Sequence, residues 1–128
     1  MTNAHQIEQS FVVINPRQKA SIERVDAALY QRLDSNYADF KGHQLIACYS
    51  FEDDWQSWEC HPHGDEVVLL LSGTLTLILK TEQGEEHTTL SQPGQYVLVP
   101  KGVWHTAKTS SSKVLFITPG EATEHQPL

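Results

Sequence analysis

Five side chains of this 128-residue chain could hold a metal ion or move protons at one place: Glu59, His61, His63 and Glu66 in "ECHPHGDE", and His105 in "VWHT". Strand alternation sorts them. If Glu59 points to one face, so does His61, while Trp58 and Cys60 point to the other. Pro62-His63-Gly64 reads as a turn that breaks the alternation, and Glu66 then leads into an apolar run. Glu59, His61, Glu66 and His105 could therefore converge inside a barrel. Two imidazoles and two carboxylates suit a divalent ion such as Mn, Fe, Ni or Zn. The residues alone leave another reading open. "HPHGDE" would also serve as a solvated loop, and a single strand histidine such as His105 needs no ligand role.

The elements that would position these side chains are mostly strands. From Gln44 onward, short apolar runs alternate with turns: "QLIACYSFE", "EVVLLLS", "TLTLILK", "HTTL", "YVLVP", "VWHTAK" and "KVLFIT". Gly73 between the second and third runs suits a hairpin or tight bend, and "TSSS" reads as a further turn. This pattern predicts an all-β fold, a single antiparallel β-barrel or jelly roll. Ahead of it, "FVVIN" suits a short strand ended by Pro16. Ile22, Val25, Leu29 and Leu33 are spaced for one amphipathic helix over 21–33, with Ser21 as its N-cap. The expected layout is an N-terminal strand and helix segment over 1–42, a barrel over 43–118 and a tail over 119–128.

Bulk composition narrows the function classes. With 39% apolar and 20% charged residues, the chain suits one globular domain. A formal charge of −7 and no basic run argue against nucleic acid and anionic membranes as partners. The longest apolar run, Val67 to Leu71, is far short of a membrane span. The N-terminus has no basic start followed by an apolar stretch and a cleavage site. Cys48 and Cys60 form neither a C-x-x-C motif nor a disulfide framework. A soluble, cytoplasmic protein with reduced thiols is expected.

Two segments, "ECHPHGDEVVLLLSG" and "GQYVLVPKGVWHT", resemble the paired motifs of the cupin superfamily. Gly94, Pro100, Gly102 and His105 occupy every position of the second motif, and Glu66 and Gly73 keep the closing spacing of the first. The resemblance implies a small single-domain cupin barrel with ligands drawn from both motifs. The first motif is atypical. His61 and His63 could be its histidine pair, with a shortened loop before Glu66. In the other register His61 is the second histidine and Glu59 replaces the first, which restores the usual gap before Glu66. The metal set Glu59, His61, Glu66 and His105 follows from this second register, preferred because backbone geometry is harder to change than ligand type. His63 is the alternative. Asp53 stands where a glycine is usual, and Thr109 where the second motif often ends in Asn.

The resemblance implies several activities. One is a metal-dependent enzyme acting on a small organic molecule, dioxygenase-, isomerase- or decarboxylase-like. The other is a non-catalytic barrel that binds or senses a small molecule. Inward positions on "VVLLL" and "TLTLIL" predict a largely apolar pocket. The run Val67 to Leu71 is apolar on both faces, and Trp58 and Trp104 are expected on the outside of their strands. A homodimer that covers this outer face is expected.

Overall fold

The computed structural model describes residues 2–128. Nine strands and one α-helix follow in order: β1 (Ser10–Ile14), β2 (Ala20–Arg24), α1 (Leu29–Asn36), β3 (Gln44–Phe51), β4 (Ser57–Cys60), β5 (Glu66–Thr81), β6 (Gly84–Leu90), β7 (Tyr96–Val99), β8 (His105–Thr118) and β9 (Glu124–Pro127). All strand pairs are antiparallel. The fold is the all-β jelly roll that the alternating runs predict, with a single N-terminal helix.

Two long strands organise it. β5 and β8 pair along nearly their whole lengths, and each crosses from one layer to the other. The N-terminal half of β5 and the C-terminal half of β8 join β2, β1, β3 and β7 in one layer. The remaining halves join β4, β9 and β6 in the second. The apolar core lies between the layers, and Val68, Leu70, Leu75, Leu77 and Val114 in it have no exposed surface.

The crossing point corrects the expected turns at Gly73 and "TSSS". Both strands run through without a hairpin, and Gly73 pairs with Ser112. Register shifts flank this pair, between Leu70 and Ser72 and between Thr74 and Thr76. The two sequence breaks are thus opposite sides of one bulged corner, where an extra residue bends both strands together. Gly73 has φ +79°, and a Cβ there would lie 2.2 Å from the Ser111 carbonyl oxygen. Only glycine fits.

The N-terminal segment also differs from expectation. Residues 20–24 form strand β2, not the start of a helix, and α1 begins only at Leu29. The Asn15 side chain accepts hydrogen bonds from the N–H groups of Arg17 and Lys19, both at 2.9 Å, and this fixes the β1–β2 turn. β-branched Ile22 then pairs with Val12. Helical spacing across 22–33 was shared by two elements, since Ile22 and Val25 are exposed whereas Leu29 and Leu33 are buried. These two leucines pack with Phe11, Val13, Phe40, Leu45 and Ala47 in a second apolar cluster beside the first. The segment expected as a C-terminal tail instead forms β9, paired with β4 from Ser57–Pro127 to Cys60–Glu124.

Candidate metal centre

Local strand geometry brings four of the five candidate side chains together. Glu59 lies in β4, and its register partner on β8 is His105, the first residue of that strand. His61 follows directly on β4. Its carbonyl accepts the Gly102 N–H at 3.0 Å, so the "PKG" turn that launches β8 is tied to the end of β4. Glu66 opens β5 in the opposite layer.

The His61 Nε2 is 3.3 Å from Glu59 Oε1 and 3.2 Å from Glu66 Oε2, and the His105 Nε2 is 3.1 Å from Glu66 Oε1. Ligand atoms of Glu59, His61 and His105 all lie within 4.8 Å of one another. His61, Glu66 and His105 are buried, and Glu59 is half-buried. His63 is apart from this group. It lies in the turn, largely exposed, with its Nε2 3.7 Å from a Glu121 carboxylate oxygen.

The surroundings aim the two imidazoles. The His105 Nδ1–H donates to the Val103 carbonyl at 3.0 Å. Thr123 donates its hydroxyl to the Gly120 carbonyl, so its oxygen accepts the His61 Nδ1–H at 2.9 Å. In each neutral ring the lone pair therefore sits on Nε2, facing the cluster. Thr118 donates its hydroxyl to Glu66 Oε2 at 2.5 Å. The inward atoms lack such partners. His61 Nε2, His105 Nε2 and Glu66 Oε1 are buried with no aligned hydrogen bond among the described residues.

Burial alone would push the Glu66 carboxyl up, but the facing His105 and His61 imidazoles outweigh it and hold the group at about 2. Burial works against a charged His105 as well, and the Glu66 carboxylate overcomes it and raises the ring above its ordinary value. Glu66 is thus an anion at neutral pH, in a place that attracts positive charge. The ligand atoms of Glu59, His61 and His105 could together hold a divalent ion, with the Glu66 carboxylate 3.1–3.2 Å from both imidazoles. Ligand bonds of about 2.1 Å put neighbouring donor atoms of such an ion roughly 3.0–3.4 Å apart.

The cluster opens into a cavity of about 1030 Å³. This corrects the expected apolar pocket on "VVLLL" and "TLTLIL": of β5 only Glu66 lines it, because the apolar residues behind Glu66 are packed in the core. β3, the loop after it, α1 and the segment before β9 supply the walls. Tyr30 on α1 and Tyr49 on β3, both lining the cavity, join their hydroxyls. Sequence reading missed Thr118, Thr123 and the tyrosine pair. Thr118 closes the run "KVLFIT", immediately before Pro119-Gly120, which marks it as a strand end. Thr123 lay in the presumed tail and left no signal.

An antiparallel jelly roll with histidines and carboxylates gathered at its mouth defines the class. A search among curated proteins finds no match. The family model described as "Cupin domain" matches residues 52–120, and the chain belongs to that family. Among solved structures it is similar to a cupin-2 domain containing protein from Shewanella frigidimarina NCIMB 400. Identity there is 26% and the TM-score 0.51, over 59% of this chain and 70% of that one. Hydroxypropylphosphonic acid epoxidase from S. wedmorenis, in complex with fosfomycin, has a TM-score of 0.51 at 15% identity, over 59% of this chain and 43% of the enzyme. An oxalate oxidase has a TM-score of 0.52 at 13% identity, over 62% of this chain and 44% of that one. The two enzymes share the fold with this chain, which spans under half of their length.

Proposed function

We propose that this cupin is a divalent-metal-dependent enzyme acting on a small organic molecule. The observation that carries the reading is the convergence of Glu59, His61 and His105 ligand atoms within 4.8 Å of one another beside the buried Glu66 carboxylate, with Glu59, His61 and Glu66 lining a large cavity. Imidazole and carboxylate donors converging at this spacing fit a single divalent ion. Glu59, His61, Glu66 and His105 would hold the ion, and the donor set suits Mn, Fe, Ni or Zn. When bound, the ion supplies Lewis acidity or redox chemistry to a substrate in the cavity. The chain supplies the rest. Val103 and Thr123 orient the imidazoles, Thr118 orients Glu66, and Trp55 packs beside His105.

The test is metal analysis of chain purified without a histidine tag, followed by calorimetric titration of the stripped protein with each ion. One ion per chain is expected, together with loss of uptake in His105→Ala. Failure to bind any of the four ions, or uptake that His105→Ala leaves unchanged, would overturn the reading.

The outer face of the β3-containing layer supports a homodimer. Ile22, Val12, Ile46, Ile117, Val67 and Leu98 are register partners in one row across six strands. Ile22 and Leu98 are more than half exposed. Trp58 adds nothing to this face: it is buried, with the Lys80 ammonium 4.3 Å above its ring. A second copy laid on the row would cover it. Light scattering at micromolar concentration should give twice the 14.4 kDa of one chain, and Leu98→Lys should shift it toward the monomer. A wild-type mass of one chain defeats the dimer. Among the described residues no helix is long and apolar enough to cross a membrane. Cys48 and Cys60 are free and buried, which suits a reducing cytoplasm.

A further inference from the structure

The cavity wall carries a charge pattern that the metal site does not use. Six carboxylates line it: Asp34, Glu52, Asp53, Asp54, Glu59 and Glu66. None of the chain's nine lysines and arginines is among the lining residues. A divalent ion would offset Glu59 and Glu66. Asp54 is engaged in structure, accepting the Thr109 N–H at 2.8 Å. Asp34, Glu52 and Asp53 are exposed and have no ion-pair partner among the described residues. The field in the cavity therefore stays negative with the ion in place.

A second feature of the wall is aromatic. Phe116 packs against Tyr49, Phe51 and Trp55, with ring centroids 6.1, 6.2 and 5.9 Å apart. Trp55 continues the wall to His105, at 6.2 Å. All four aromatic residues line the cavity, as do His61 and Glu66, whose buried inward atoms lack hydrogen-bond partners. One end of the cavity thus presents ligand-binding atoms, one wall is aromatic, and the charged side chains elsewhere on the lining are carboxylates, beside hydroxyls, Gln56 and the His125 imidazole. Carboxylates favour positive charge, and an aromatic wall receives an apolar or cationic body without cost.

We propose that the ligand of this cavity is a small organic cation, an amine or ammonium with an apolar or aromatic body. Its body lies against Phe51, Trp55 and Phe116, and its charge faces Glu52, Asp53 and Asp34. Anionic ligands of the same size are disfavoured, since no lysine or arginine is there to receive them. The proposal deepens the reading of this cavity as a substrate site and rests on it.

Calorimetry with phenethylamine, phenylacetate and 2-phenylethanol at pH 7, on metal-loaded and on stripped protein, tests it. The three probes share one aromatic body and differ in charge. Phenethylamine should bind at least tenfold more tightly than phenylacetate, with 2-phenylethanol between them. In the double variant Glu52→Gln/Asp53→Asn, metal uptake should persist and the amine preference should fall at least threefold. Equal or tighter binding of phenylacetate, binding of none of the three, or a preference that the double variant leaves intact would overturn the proposal. The stripped protein separates this idea from the metal reading. Amine preference in a chain that takes up no ion leaves the proposal standing and the metal reading fallen. Stoichiometric metal with a preference for phenylacetate does the reverse.

Discussion

β5 and β8 carry two buried regions of opposite character a few residues apart. Val68, Leu70 and Val114 lie in a close-packed apolar cluster. Glu66, two residues before Val68, and His105, at the start of β8, are just as buried but face one another with unpartnered polar atoms. The same alternation that aims Val68 and Leu70 inward aims Glu66 inward. The core lowers the free energy of folding, at about 2 kcal/mol for each large apolar side chain buried. The polar cluster contributes less, because the cost of burying its charges offsets much of what the Glu66–imidazole contacts return. The difference shows which region holds the fold and which one uses it.

That contrast is broken most forcefully from the core side. Leu70→Ala should leave a cavity and cost about 2–5 kcal/mol of stability, read by denaturant unfolding. Metal uptake by the folded fraction should be unchanged, because Leu70 does not line the cavity that holds the cluster. A loss of metal stoichiometry in folded Leu70→Ala would mean that the two regions are not separable.

Glu66→Gln attacks the other region. It keeps the volume and removes the charge, and the two imidazoles can then remain neutral, so no uncompensated charge is left buried. Metal affinity should fall by more than the roughly 10–100-fold that loss of an outer partner costs. The metal-free chain should change in stability by less than about 2 kcal/mol. Unfolding curves of stripped wild type and variant check the second half of this pair, and a penalty as large as that of Leu70→Ala would show that Glu66 is structural.

The two regions also differ in how far the sequence revealed them. The core was legible because "EVVLLLSG" and "TLTLILK" are apolar runs of strand length, which must be buried whatever the partner strand. The corner was misread because glycine and serine runs signal turns and bulges alike, and only the register of β5 against β8 distinguishes the two. β2 was read as helix because Ile22 and Val25 happen to continue the spacing of Leu29 and Leu33. Their exposure, which decides the matter, depends on the fold. At the site, strand alternation and motif spacing singled out Glu59, His61, Glu66 and His105. The side chains that hold them were not visible. Thr118 and Thr123 reach Glu66 and His61 from 52 and 62 residues away in sequence. β9 was hidden as well, since "TEHQPL" has no apolar alternation and is held by pairing with β4 alone.

Thr118→Val sharpens the comparison on a finer scale. Valine keeps the β-branched shape that suits the end of β8, so the strand should be preserved. The lost hydroxyl removes the donor that fixes Glu66 Oε2, leaving only the two imidazoles to orient the carboxylate. Metal affinity should fall about 10–100-fold, with stoichiometry still at one ion per chain. Thr118→Ser, which retains the donor, should recover most of that loss in the same titration.

His63→Ala should do the least, and that makes it the sharpest test of the first motif. Two registers compete for one ion. In one, His61 and His63 are the histidine pair; in the other, Glu59 and His61 are the ligands and His63 is a turn residue. His63 is largely exposed, and its ring faces Glu121 at 3.7 Å, a surface pair worth under about 1 kcal/mol. The His61 ring faces Glu59 and Glu66 instead. Alanine at 63 should therefore leave metal affinity within about threefold of wild type and stability within about 0.5 kcal/mol, the ordinary range for an exposed position. Alanine at 61 should abolish uptake, and Glu59→Gln should weaken it. Calorimetric titration of the three variants side by side decides the register. If His63→Ala loses the ion while Glu59→Gln keeps it, the turn must refold on metal binding to swing His63 inward, and the ligand set becomes His61, His63, Glu66 and His105.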